Sequence, residues 1–112
     1  MNYYEQIYEL PGLKGYFFKI NRIKPTKIYA MAVTFGKVMN PQAPADPDAL
    51  EKVGDFIVES LQFSTSKEGE FKPVHRPGLD SFEFKPLEDN PMLLIHFTGL
   101  YFENVIKPAQ NI

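Results

Sequence analysis

Two imidazoles, fourteen carboxylates and no thiol make up the titratable side chains from which catalysis or metal binding could be built in this 112-residue chain. His75 and His96 fall on different predicted elements, and neither has a second histidine at helical spacing, so the sequence predicts no metal site. His96 and Glu103 share one strip of a predicted helix, but seven residues separate them by about 10 Å along the axis, too far to share an ion unaided. For nucleophilic catalysis the candidates are Ser60, Ser64, Ser66 and Ser81, and none sits in a Gly-x-Ser-x-Gly elbow. Paired carboxylates occur at Asp46/Asp48, Glu68/Glu70 and Glu88/Asp89, each in a predicted loop or cap exposed to solvent, where helix capping and solubility account for them. There is no Gly-x-Gly-x-x-Gly and no phosphate loop. The chain is therefore read as a non-enzyme with no catalytic residue, cofactor or metal.

The basic residues point elsewhere. From Leu10 to Ala45 there is no Asp or Glu, while Lys14, Lys19, Arg22, Lys24, Lys27 and Lys37 are all present. From Asp46 onward twelve acidic residues face six basic ones, so a formal charge of −2 hides a division along the chain. Three readings of such a polarised chain stand open: its halves pack together, it stacks head to tail on copies of itself, or the charge is simply solvated. Within the basic segment 10–45, Lys14-Gly15-Tyr16-Phe17-Phe18-Lys19-Ile20-Asn21 begins like the aromatic strand of an RNA-recognition module. It departs from that pattern at Phe17, Lys19 and Asn21, and the acidic half repels phosphate. A nucleic-acid-binding module using 10–45 is thus an alternative reading, not the first.

The element that must position everything else is Pro91–Ile106, read as a helix with Asn90 as N-cap, Pro91 at the first position and Lys107-Pro108 closing it. Its apolar residues cover about two-thirds of the circumference and leave only His96, Gly99 and Glu103 as a polar strip. A helix so apolar is either the centre of the core or a contact surface for another chain. At under ~20 residues it is too short to span a bilayer, and Met1–Glu5 lacks the basic start of a signal peptide, so a soluble protein made inside the cell is expected.

The rest follows in order. Met1–Leu10 fits helix and strand spacing equally, and Pro11-Gly12 makes a turn, so 1–14 is treated as an N-terminal extension. Gly15–Ile23 alternates, with Tyr16, Phe18 and Ile20 on one face, and reads as a half-buried strand. A helix is predicted over 25–36 with Gly36 as its cap, then a Pro-rich linker over 40–47. A second helix is predicted over 48–61, with Asp48 and Glu51 as a capping box and Gly54 marking close packing. Gln62–Thr65 reads as a short strand. Phe71–His75 and Ser81–Lys85 read as a hairpin around Pro77-Gly78, its first arm an edge because Pro73 cannot donate to a ladder. The expectation is one α+β domain over 1–112, a small antiparallel sheet of strand plus hairpin packed with about three helices.

The run Phe18 to Val33, a helix such as Leu50–Leu61, the arm Gly69-Glu70-Phe71-Lys72-Pro73-Val74 and a last apolar helix ending Val105-Ile106-Lys107-Pro108 come in an order that resembles small tail-assembly chaperones, or baseplate-assembly relatives, of long-tailed bacteriophages. The likeness spans about residues 17 to 108; Met1–Gly15 has no counterpart in it, and the Pro-rich insert Asn40–Pro47 is unusual for it. It implies a non-enzymatic assembly factor in the host cytoplasm that binds tail proteins, such as the tape measure or baseplate components. The alternative it leaves is a permanent structural component of the virion, and a homo-oligomer fits either. The residues expected to make partner contact are Leu94, Tyr101, Phe102 and Val105 on the last helix, with Tyr29 on the first.

Overall fold

In the computed structural model, which describes residues 2–75 and 82–110, a three-stranded antiparallel sheet is covered by helices, an α+β fold. The order is β1 (Phe17–Ile20), α1 (Pro25–Met39), α2 (Pro47–Ser60), β2 (Leu61–Ser64), β3 (Lys72–Pro73), α3 (Lys85–Asp89), α4 (Leu94–Tyr101) and α5 (Lys107–Gln110). A 3-10 turn over Pro91–Leu93 leads into α4, and a π-helical stretch, Phe102–Ile106, joins α4 to α5.

β2 is the central strand, not a side piece. It pairs with β1 in the register Phe17↔Ser64 to Ile20↔Leu61, and with β3 through Gln62↔Pro73 and Phe63↔Lys72. The alternation in β1 is observed as expected, since Phe18 and Ile20 are buried. Pro73 does lie on an edge strand. The second hairpin arm is corrected: Phe82 makes a single bridge to His75, and the chain then turns into α3 instead of a strand. Pro86 explains the change, because it has no N–H for a ladder but suits a first helical turn. The expected turn at Arg76–Leu79 lies outside the described residues.

The first residues belong to the sheet. Tyr8 exchanges two 2.8 Å backbone hydrogen bonds with Phe18, the Ile23 N–H donates to the Tyr3 hydroxyl at 2.7 Å, and the Tyr8 hydroxyl donates to the Tyr3 carbonyl at 2.9 Å. What reads as an extension is thus a rung outside β1.

Helix limits shift for local reasons. α1 runs through Gly36 to Met39, so that glycine is not its cap. α2 begins one residue early because Asp46, not Asp48, is its N-cap, accepting from the Asp48 and Ala49 N–H groups at 3.1 and 3.2 Å. A Cβ at Gly54 would meet Leu94 Cδ1 at 3.7 Å, ordinary contact, so no close approach requires that glycine. Asn90 caps the last helical run as expected, accepting from the Met92 N–H at 3.2 Å. That run passes Ile106 and ends at Gln110, with Pro108 inside it. Pro108 has no N–H, and its ring clashes with the carbonyl four residues back in a regular α-turn. The wider π-turn just before it relieves this, with the Lys107 N–H reaching back to the Phe102 carbonyl.

One core joins these elements. Phe18, Phe84 and Phe97 meet edge to face, with ring centroids 5.0 to 5.4 Å apart, and Phe56 bridges Phe35 and Tyr101 in the same manner.

Candidate interaction surface

α1 carries two apolar stripes. Met31 and Phe35 are buried, with Ile28, Ala32 and Val38 half-buried beside them, and this stripe holds the helix on the core. At 100° per residue Pro25, Tyr29, Ala32, Val33 and Gly36 form a second stripe next to the first. Among the described residues nothing covers its outer part: Tyr29 is 84% exposed and Val33 68%. Along one side of this stripe Pro25, Ile28, Tyr29 and Ala32 meet Ala109 and Gln110 of α5 around an apolar cleft of about 290 Å³. Within 24–39 the charged residues are Lys24, Lys27 and Lys37, all exposed.

The five expected contact residues separate into three situations. Tyr29 stands on the outer stripe. Leu94 and Phe102 are half-buried and pack against the core cluster. Tyr101 and Val105 are corrected: both are sealed and take no part in any surface. The Tyr101 hydroxyl and Ser60 Oγ hydrogen-bond to each other at 2.8 Å, with the Ile57 carbonyl 3.3 Å from the Tyr101 oxygen and the Phe56 carbonyl 2.8 Å from Ser60 Oγ, so two hydroxyl protons are divided among three contacts. Burial raises the Tyr101 pKa well above the ordinary tyrosine range, and the hydrogen bond with Ser60 offsets this only in part. These groups are satisfied and closed off from solvent, a stabilising network and not a site.

Residues not singled out in the sequence are Val33, and also Met92 and Ile95 at the start of the last helical run, 64% and 61% exposed. The signal for Val33 was present as Tyr29 plus four. It was masked because Ile28, Ala32 and Phe35 already satisfy a one-stripe helix.

Elsewhere the groups with chemical potential are dispersed. His96 is exposed beside a smaller cleft of about 160 Å³ lined by Leu10–Leu13 and Leu93, and His75 lies against the Phe82 ring. Among the described residues no three His, Asp or Glu side chains are grouped to hold a metal ion. No described helix is long and apolar enough to cross a membrane. On the outer face of the sheet Lys19 lies over the Phe71 ring at 4.7 Å and Lys67 over Phe17 at 5.5 Å, while Arg22 covers Tyr4 at 4.2 Å. Three cations thus lie on rings of their own chain. Compared with family models, with curated proteins and with solved structures, the chain matches none.

Proposed function

We propose that this protein is a non-enzymatic assembly factor that works by gripping another polypeptide, and that the outer stripe of α1 is the grip. The observation that carries this reading is the exposure of Tyr29 and Val33 beside the cleft formed with Ala109. An exposed tyrosine next to an exposed valine over an apolar cleft costs hydration free energy in the free protein, and that cost is returned when a partner covers them. Tyrosine is also among the residues that dominate contact energies, because a large ring becomes ordered at small entropic cost. Ala32 and Gly36 add low relief, so a partner backbone can approach closely.

The order of elements resembling phage tail-assembly chaperones supplies the partner class: tape measure or baseplate components, met in the host cytoplasm. Finding the protein in purified particles would instead favour a permanent place in the virion.

The test is capture of tail proteins from cells expressing the tail genes, using tagged wild type and Tyr29→Asp. The expected result is at least a tenfold loss of captured protein with an unchanged thermal melt. Equal capture by the two proteins would remove α1 as the grip.

A further inference from the structure

The last helical run is out of step with itself. At about 100° per residue, an uninterrupted α-helix would put Asn104 and Pro108 on the side of Phe97 and Tyr101, and Ile106 nearly opposite. The structure shows the reverse: Val105 and Ile106 are sealed along with Phe97 and Tyr101, Asn104 is half-buried and Pro108 is exposed. A π-turn takes up one residue more than an α-turn, so the chain beyond Phe102–Ile106 is turned back by about one residue's 100°. Ala109 then stands where Pro108 would have been, and Gln110 where Ala109 would have been. That side borders α1. The π-helical stretch packs on α1, and Ala109 and Gln110 meet Pro25, Ile28, Tyr29 and Ala32 around the cleft of about 290 Å³.

We infer that the π-turn is a positioning device for this cleft, and that Asn104 and Pro108 are the residues that hold it. In a regular α-turn the Pro108 ring would run into the Asn104 carbonyl, so proline excludes the straight alternative. A straight helix would also turn the Asn104 carboxamide toward the side where Phe97 meets Phe18 and Tyr101 meets Phe56, and an amide among rings is costly. With the π-turn in place, Asn104 Nδ2 instead donates to the Leu100 carbonyl at 2.9 Å. Burial of Val105 and Ile106 favours the same extra residue, so three local preferences agree. The device has a use only if the α1 stripe is the grip, the reading on which this inference rests. It adds to that reading the residues that choose which side chains wall the cleft.

The experiment follows two variants by nuclear Overhauser contacts from the methyl groups of residues 108 and 109 to Ile28 and Ala32, and by capture of tail proteins from expressing cells. Asn104→Leu/Pro108→Met removes both holds and gives apolar side chains to the two positions that a straight helix turns inward. The contacts should pass from Ala109 to residue 108, whose side chain then fills the cleft, and capture should fall roughly tenfold. Deletion of Asn104 together with Pro108→Met also abolishes the π-turn, but by taking out the extra residue, so Val105, Ile106 and Ala109 keep their directions. This second variant should keep the Ala109 contacts and wild-type capture, which a role in stability alone would not produce. Ala109 contacts that persist in Asn104→Leu/Pro108→Met overturn Asn104 and Pro108 as the holds. Ala109 contacts that vanish in the deletion variant overturn the positioning device itself, and this arm decides the matter should the first variant fail to fold. If the contacts move as expected while Tyr29→Asp captures as well as wild type, the α1 grip falls and the geometry of the device stands.

Discussion

In the run 94–106 Phe97, Tyr101, Val105 and Ile106 are sealed, held between α1 and α2 with the Phe97 ring against Phe18 of β1. In α1, side chains of the same chemical kind stand in water. The contrast lies in the number of neighbours each helix has. The last run is packed from several directions, so most of its wide apolar perimeter is consumed inside one copy, with Met92 and Ile95 at its start left exposed. α1 packs on one flank only, so its second stripe is left over. Apolar composition tells how much surface seeks cover; topology tells which of it finds cover in its own chain.

Three stability measurements test whether the two helices differ in this way. Phe97→Ala should cost about 3 to 5 kcal/mol, read from the denaturant midpoint, because it removes a ring that is fully buried in the Phe18 cluster. A loss below about 1 kcal/mol would show that the site collapses easily and is not the centre of the core.

Alkaline pH gives the next effect. The Tyr101 pKa in the fold lies above its ordinary 10.0, so the unfolded chain releases this proton first. The contribution is therefore fully present below about pH 10 and declines above it by about 1.4 kcal/mol per pH unit. Tyr101→Phe should flatten that part of the decline at the cost of a hydrogen bond, about 1 kcal/mol. Identical alkaline slopes in the two proteins would mean that the hydroxyl is reachable by water. Smallest of all, Tyr29→Asp should change stability by no more than about 0.5 kcal/mol, in keeping with a ring that contributes nothing to the core. A loss of several kcal/mol would place Tyr29 in the fold and not on its surface.

Much of the architecture is legible in particular residues. The alternation of Tyr16, Phe18 and Ile20 marks β1, Asn90-Pro91 marks the start of the last run, and Pro73 marks an edge. Other features are not readable locally. Leu61–Ser64 looks peripheral in the sequence, yet it is the middle strand, because a strand's place in a sheet depends on partners 40 and more residues back along the chain. Tyr8 fits either period, and only its two hydrogen bonds to Phe18 settle it. Among the expected contact residues Tyr29 is exposed, while Tyr101 and Val105 are buried despite their helix's wide apolar perimeter. A perimeter too large for one neighbour is not too large for a subunit that packs it from several sides.

The pairing of Tyr8 with Phe18 has a practical side. Anyone trimming the chain to its helices and three strands by cutting before Pro11 would strip the guard from β1. The bared edge would offer unsatisfied backbone donors and acceptors to any extended stretch nearby, a route to aggregation in the tube that owes nothing to the protein's own assembly.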